Sequence, residues 1–407
     1  MSRIVLGVAG GIAAYKSCLL LRLFAESGHN VSVVPTRNAL NFVGPATWEA
    51  LSGKPVSENV WARSWEVPHV GLGRSAELIV VAPATADLLA RAACGRADDL
   101  LTNVLLTASC PIVMAASMHS EMWLNPATQH NVELLRGRGI VVMDPAVGRL
   151  TGPDSGPGRM PDPEDIAALA LSALGVPSVA AALAARDYAG LKVLISAGGT
   201  HEAIDPVRFL GNASSGKMGL ALARAARQRG AEVKLVGANL SLPAPAGVEL
   251  APVVSTADLA KEMLGSAPGA DVVVMAAAPA DFTPVAPSAG KVKKTGDAGL
   301  TLELRQTVDV LAALAAQADA GQVVVGFAAE TASDSGELLA LGRAKLARKG
   351  CRLLVLNDVS GGQVFGADEN SVLIIAAGNT VEPVAAQGSK DQVAHAILDQ
   401  ALARRAG

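Results

Sequence analysis

The stretch Arg3-Ile-Val-Leu-Gly-Val-Ala-Gly-Gly-Ile12 decides the fold. Ile4 to Ala9 run without polar alternation, which fits a strand covered on both faces, as in a parallel sheet. Gly10-Gly11 then turns the chain, and residues 12–27 carry Leu19, Leu20, Leu23 and Phe24 at helical spacing. Gly28 ends that helix and Val31–Val34 reads as the next strand, so the chain opens with a βαβ unit. Further strands are predicted at Leu78–Ala82, Ile112–Ala115 and Ile140–Met143, with helices between them. Leu150–Pro163, rich in Gly and Pro, reads as a loop, and a helix follows over Glu164–Leu174. The Ala-rich stretch Gly175–Gly190 reads as a linker. At Lys192–Ser196 the pattern restarts, with a glycine turn at Ala197-Gly-Gly-Thr200, a helix over Lys217–Arg229 and a strand over Glu232–Val236. Strands also fit Asp271–Ala276, Gln322–Phe327, Arg352–Asn357 and Ser371–Ala376. The expected class is α/β, with two domains at 1–178 and 191–407 joined by a linker at 179–190. Each domain is a mostly parallel sheet flanked by helices, and no fixed-period repeat is present.

Composition agrees with that plan. A chain of 407 residues suits two domains, and with half its residues apolar and 17% charged it is globular. Lys+Arg number 34 and Asp+Glu 37, a net charge of −3, which argues against a general affinity for nucleic acid or an anionic membrane. Apolar runs such as residues 270–280 are too short to span a bilayer, and Met1-Ser-Arg-Ile4 lacks a signal-peptide layout. Cys18, Cys94, Cys110 and Cys351 form no CxxC pair and no zinc spacing, so free thiols in a reducing cytoplasm are expected.

A glycine turn between strand and helix presents backbone N–H groups to a phosphate, and it also lets a helix pack closely on its strand. Both readings account for Gly10-Gly11. The full dinucleotide fingerprint further wants an acidic residue at the end of the second strand. Those ends are Pro35-Thr36 and Gly237-Ala238, which disfavours a nicotinamide oxidoreductase. Gly211-Asn-Ala-Ser-Ser-Gly-Lys-Met218 nearly matches a P-loop, but Met218 replaces the magnesium-binding hydroxyl and no clear strand leads into Gly211. Ser214, Ser215, Gly216 and Lys217 still offer donors for a phosphate, and either serine also suits a helix N-cap. Lys291-Val-Lys-Lys294 lies downstream of a strand ending in Ala276-Ala-Ala-Pro-Ala-Asp281. An aspartate followed by lysines at such an end suits a triphosphate with Mg²⁺. Lys345 and Lys349, four apart on one helix, read by themselves as a surface pair.

These residues carry a family resemblance. Ala82-Pro-Ala-Thr85, Gly95-Arg-Ala-Asp-Asp-Leu-Leu101 and Met122-Trp-Leu-Asn-Pro-Ala-Thr-Gln129 resemble FMN-dependent cysteine decarboxylases. Ser196-Ala-Gly-Gly-Thr-His-Glu202, Arg208-Phe-Leu-Gly-Asn-Ala-Ser-Ser-Gly-Lys-Met-Gly219, Ala276–Asp281 and Lys291–Lys294 resemble phosphopantothenate–cysteine ligase. Order and length resemble the bifunctional bacterial coenzyme A enzymes over essentially the whole chain. The resemblance implies a flavodoxin-like or Rossmann-like flavoprotein half and a Rossmann-like ligase half. It implies CTP-dependent joining of L-cysteine to 4′-phosphopantothenate through an acyl-cytidylate, then FMN-dependent oxidative decarboxylation to 4′-phosphopantetheine. His69, a loop histidine of no consequence on position alone, becomes a catalytic residue, as do His119 and Asn212. FMN contacts fall on Gly10, Gly11, Ile12, Thr36, Phe42, Ala84, Thr85, Ser117 and Met118. CTP contacts fall on Ala276, Ala277, Ala278, Asp281, Lys291, Thr307, Val308, Asp309, Val310, Phe327, Lys345 and Lys349, with Asp281 also holding Mg²⁺. Substrate contacts fall on Arg208, Asn212, Ser214, Ser215, Gly216, Lys217, Asn125 and Arg159. The resemblance also implies homo-oligomers, with trimeric decarboxylase contacts and dimeric ligase contacts closing into an assembly such as a dodecamer.

Three positions depart from the family pattern. His119 stands where Asn is usual, Gly152 where many members carry a lid cysteine that assists the last step, and Asp87 where Asn is common. The changes at His119 and Gly152 raise the alternative of an active ligase fused to an impaired, flavin-binding regulatory domain.

Overall fold

The structure, a computed structural model, describes residues 1–56, 68–150, 152, 154–293, 299–331, 334–358, 369–378 and 381–405. The chain folds as two units, Met1–Asp187 and Tyr188–Gly407.

In the first unit β1 (Arg3–Val8), β2 (Asn30–Pro35), β3 (Leu78–Ala84), β4 (Ile112–Ala116) and β5 (Val141–Met143) form one sheet. Its order is β2-β1-β3-β4-β5 and every pairing is parallel. This is the flavodoxin-like order, whose ligands sit beyond the carboxyl ends of the strands. Ile4, Leu6 and Val8 enter one apolar cluster while Val5 and Ala9 enter the opposite one, which is why β1 shows no alternation. The first cluster is covered by α1 (Lys16–Glu26), α2 (Pro45–Ser52), α8 (Pro163–Ala173) and α9 (Pro177–Ala185). The second is covered by α4 (Ala86–Cys94), α5 (Leu100–Thr107) and α7 (Pro126–Gly137). Two further helices, α3 (Pro68–Ser75) and α6 (Ser120–Trp123), lie beside α5 and α7.

Three sequence expectations are corrected here. Residues 12–27 are not one helix, because a 3₁₀ turn over Ile12–Tyr15 precedes α1. The stretch Leu150–Pro163 is not all loop: β7 (Ser155–Arg159) pairs antiparallel with β6 (Ala146–Arg149). A two-stranded hairpin tolerates Gly and Pro that a central strand would not. Residues 151 and 153 of that stretch lie outside the described residues. The expected linker contains α9, whose Val179 and Leu183 are buried in the first unit's core. Spacing of i, i+4 brings both to one face, and small alanines let that face pack closely.

The second unit is built on β8 (Lys192–Gly198), β11 (Glu232–Ala238), β12 (Glu249–Val253), β13 (Val272–Met275), β16 (Val323–Glu330), β17 (Leu353–Asp358), β18 (Glu369–Ala376) and β19 (Val384–Ser389). Their order is β12-β11-β8-β13-β16-β17-β18-β19, parallel as far as β17 and antiparallel beyond it. Val193, Ile195 and Ala197 face one cluster with α10 (Lys217–Gln228) and α14 (Lys390–Arg405). Leu194 faces the other with α11 (Thr256–Ser266), α12 (Val310–Gln317) and α13 (Ser335–Lys349). Two small hairpins complete the unit, β9 (His201–Ala203) with β10 (Phe209–Gly211), and β14 (Phe282–Pro284) with β15 (Leu304–Gln306). The edge strands β12 and β19 escape the sequence reading because none of their residues is buried and neither carries a long apolar run. Among the described residues no helix is long and apolar enough to cross a membrane.

His395 of α14 is wholly buried, and neither ring nitrogen has a hydrogen-bond partner. Burial, with Arg229 nearby, pushes its pKa down from 6.5 to about 3. The unfolded chain therefore binds a proton below pH 6.5 that the folded chain refuses until about pH 3. Stability is full above the upper value. It falls by up to about 1.4 kcal/mol per pH unit beneath it, and the loss is complete once the pH passes the lower one. Denaturant midpoints taken across that window should fall steeply for the parent and less so for His395→Gln.

Candidate functional site

Each unit carries one cavity at the carboxyl ends of its parallel strands. In the first unit a cavity of about 1060 Å³ is lined by Gly10, Gly11 and Ile12 after β1, Thr36 after β2, Thr85 after β3, and Ser117, Met118 and His119 after β4, together with Arg159. Sequence reasoning singled out all nine. Gly10 is required there, since a Cβ would come within 2.4 Å of the Asn38 Cβ. Thr36 and Thr85 are N-caps whose hydroxyls accept from Ala39 N and Leu88 N, which fixes both side chains at the strand ends. Lys16, Arg37 and Arg91 also line the cavity and were not singled out. Lys16 shows no motif; the fold reveals it because α1 starts at the strand crest.

The structure does not bring every expected residue to this cavity. Ala84 is fully buried beneath it and Phe42 is exposed elsewhere. Asn125 caps α7, its Oδ1 accepting from Ala127 N at 2.9 Å, and does not line the cavity. His69 lies on α3, not in a loop, and is also absent from the lining. Its carbonyl accepts from Thr107 Oγ1 at 3.0 Å and its Nδ1 is buried without a partner.

Several charges around the cavity are paired. Asp87, the departure from Asn, accepts from Arg91 Nε at 3.1 Å, and Arg91 also donates to Asp98 and Asp99. Burial pulls the Arg91 guanidinium down, but its bonds to Asp99 and Asp98 outweigh this and hold it above its ordinary value. The Arg159 guanidinium donates to Asp162 at 2.7 Å, and Lys16 reaches the same carboxylate at 3.2 Å. Burial raises the Asp162 carboxyl, and these two cations more than offset that, leaving it below its usual range.

In the second unit a cavity of about 660 Å³ is lined by Asn212, Ser214, Ser215, Gly216 and Lys217. Ala276, Ala277, Ala278, Asp281, Thr307, Val308, Asp309, Val310, Phe327, Lys345 and Lys349 also stand in its walls. Gly216 is the N-cap of α10, at φ +71°, a left-handed conformation that favours glycine. This corrects the serine N-cap. Ser214 Oγ stands 3.4 Å from Gly216 N and Ser215 Oγ 3.5 Å from Lys217 N, both long. A short strand, β10, does lead into Gly211, but it belongs to an antiparallel hairpin, so the turn is not a P-loop. Asn212 Nδ2 donates to Pro279 O at 2.8 Å. Lys345 pairs with Glu330 at 2.7 Å and Lys349 with Asp309. Burial pushes the Asp309 carboxyl up, while Lys349 and the Ala312 N–H more than compensate and hold it below its usual range. Asp281 lines the cavity, and among the described residues no group of three or more His, Cys, Asp or Glu could cage a metal.

Arg208 and Lys291 do not line this cavity. Arg208 is held by Asp205, its Nε and Nη2 at 2.9 and 2.5 Å from Oδ2. Asp205 also accepts from the backbone N–H groups of Val207, Arg208 and Val292. The bonds from Arg208 hold its carboxyl well below the usual range. Asp205 thus ties the Arg208 turn to the Lys291–Lys293 segment, and nothing in its sequence context marked it. Lys294 lies outside the described residues. All four cysteines are free thiols.

Residues 188–404 match the family described as DNA/pantothenate metabolism flavoprotein C-terminal domain, and residues 1–175 match the flavoprotein family. The coenzyme A biosynthesis bifunctional protein CoaBC of Mycobacterium tuberculosis is 52% identical over 100% of this chain and 97% of its own. The chain belongs to the family of bifunctional coenzyme A biosynthesis proteins. The member from Vibrio cholerae is 39% identical over 97% of this chain and 96% of its own. A crystal structure of the C-terminal domain of a CoaBC protein is 33% identical, covers 54% of this chain and 97% of that one, and has a TM-score of 0.45. As a member of this family the chain is an enzyme with a phosphopantothenoylcysteine decarboxylase half, which is a flavoprotein, and a phosphopantothenate–cysteine ligase half.

Proposed function

We propose that the second unit joins L-cysteine to 4′-phosphopantothenate with CTP through an acyl-cytidylate, and that the first converts the adduct to 4′-phosphopantetheine with FMN. The observation that carries this reading is the pair of separate cavities, each at the carboxyl ends of a parallel sheet and each lined by the residues that suit one half-reaction.

In the ligase cavity, attack of the pantothenate carboxylate on the α-phosphorus expels pyrophosphate, and attack of the cysteine amine on the acyl carbon expels CMP. Lys345 and Lys349 already sit opposite carboxylates, so a triphosphate replaces one anionic partner by another. Asn212 polarises the acyl carbonyl without adding charge. Mg²⁺ keeps several waters and binds through one or two carboxylates plus substrate phosphates. Asp281 fits that donor set as the protein's contribution.

FMN, when bound, supplies the two-electron oxidation of the substrate thiol. The N–H groups of the 10–12 turn, the Thr36 hydroxyl, Lys16 and Arg37 suit its phosphate, and Thr85, Ser117 and Met118 suit the flavin edge. Arg159 suits the substrate's phosphate or carboxylate. His69 takes the thiol proton. Because His69 does not line its own unit's cavity, this role calls for a neighbouring copy, in keeping with the homo-oligomer that the family resemblance implies. The setting for both reactions is cytoplasmic.

Purified protein given 4′-phosphopantothenate, cysteine, CTP and Mg²⁺ should yield 4′-phosphopantetheine and CO₂, followed by mass. The adduct alone would mean an impaired decarboxylase, and absence of pyrophosphate and adduct would overturn the ligase reading. Gly158→Ala tests the hairpin's part. A Cβ there would stand 2.3 Å from the Met118 carbonyl, so β7 has to lift. CO₂ release should drop about tenfold or more, as expected for a misplaced site, while ligation stays unchanged.

A further inference from the structure

Resting on the decarboxylase reading above, we propose that His119 delivers the proton that decarboxylation consumes, and that Asp154 is the positioning residue that holds it for this task. The net reaction replaces C–COO⁻ by C–H. The electrons removed from the thiol return to the same chain, so the overall change is loss of CO₂ and uptake of one proton. When the C–C bond to the carboxylate breaks, its electron pair passes into an enethiolate. A proton must then reach the carbon that carried the carboxylate before the returned hydride can restore the thiol.

Within one copy the first unit's cavity offers one group suited to that transfer, and His69, which a neighbouring copy would bring, is already assigned to the thiol proton. The cavity's other ionisable side chains are arginines, one lysine, one tyrosine and aspartates, none of which exchanges a proton readily at neutral pH. Imidazole does. Asp154 is brought to His119 by the hairpin β6–β7. Met118 N donates to Gly158 O at 3.0 Å, so β7 lies directly on the 118–120 segment. Gly156 and Gly158 make this possible: a Cβ on the first would stand 2.4 Å from Ser120 Oγ, and on the second 2.3 Å from Met118 O. Leu150 N donates to Asp154 O at 3.0 Å and closes the hairpin end.

His119 Nδ1 then stands 3.3 Å from Asp154 Oδ2, with Glu121 Oε2 of α6 at 3.8 Å. Arg149 and Arg159 of the hairpin line the same cavity. With Nδ1 turned to the carboxylates, Nε2–H is the nitrogen left to serve the substrate. It gives its proton to carbon and regains one from water, and Asp154 holds the ring in that orientation. The hairpin thus sets the carboxylate against the imidazole at the cavity wall.

The test uses the full FMN-loaded chain in single turnovers with 4′-phosphopantothenoylcysteine, following CO₂, product mass and flavin colour over a range of pH. For Asp154→Asn, CO₂ should appear at the parental rate while the saturated thiol forms roughly tenfold more slowly. For His119→Gln the loss should be about 10²-fold, the lower range for a missing general acid. A product two hydrogens short of 4′-phosphopantetheine should accumulate while the flavin stays bleached, and the pH profile of thiol formation should change. Asp154→Glu should restore most of the rate. Thiol formation at the parental rate in Asp154→Asn overturns the proposal. So does an equal slowing of CO₂ release with FMN content intact, because the pair would then act before the carbon is protonated. If the unsubstituted chain releases no CO₂, the decarboxylase reading itself has failed.

Discussion

Asn212→Ala is expected to lower ligase turnover by about 10²–10³, the effect of removing one preorganised donor from an acyl-transfer site. Asn212 follows β10 on the rim of the second cavity, and its Nδ2 is steered by the Pro279 carbonyl. That bond fixes where the amide stands before substrate arrives. The amide's gain is made as charge develops on the acyl oxygen, so kcat should fall more than KM rises. Asn212→Asp keeps the shape but places an anion beside a carboxylate and a triphosphate, and should do no better. Pyrophosphate release and adduct formation, measured separately, report the two half-reactions. Decarboxylation of supplied 4′-phosphopantothenoylcysteine should not change. A turnover within twofold of the parent would remove Asn212 from the chemistry.

Asp399→Ala is expected to destabilise the second unit by about 3 kcal/mol, the low end for stranding one member of a buried ion pair. Arg229 is only 1% exposed, and its Nη1 lies 2.7 Å from Asp399 Oδ1 and 3.2 Å from the His395 carbonyl. The guanidinium also sits 4.9 Å from the centre of the Tyr188 ring, whose hydroxyl donates to Leu398 O at 2.7 Å. Without the carboxylate, the buried cation keeps its desolvation cost and loses its counter-ion. Asp399 is 38% exposed, so water offsets part of the loss, which sets the estimate low. Thermal unfolding should show the second unit melting earlier while flavin release from the first is unchanged. Replacing Arg229 by Leu in the same variant should recover much of the stability, because the uncompensated charge is then gone. No recovery would mean that Arg229 contributes mainly through the His395 and Tyr188 contacts.

Much of the fold was legible. Strands buried on both faces need unbroken apolar runs, and β1, β3, β4, β8 and β17 are written that way. Edge strands such as β12 and β19 have one partner and no buried residue, so no long apolar run announces them. The antiparallel turn of β18 was equally hidden, since an apolar run does not state its direction. The Ala-rich α9 read as a linker because few large residues mark its buried face. At the sites, strand-end residues were found because ligands gather where parallel strands end. Lys16, Arg91 and Asp205 were not, because each becomes important through a partner distant in the chain.

By itself the sequence determined the two α/β units, the strand-end positions that rim each cavity and the family to which the chain belongs. These follow from periodicity and from motifs read within a few tens of residues. The tertiary structure decided the pairings. Lys349 meets Asp309 across 40 positions of sequence, Asp205 clasps Val292 across 87, and Asp154 meets His119 when one hairpin lies down on one helix. Such contacts depend on crossover geometry and on the glycines that let two backbones approach, and local periodicity carries neither.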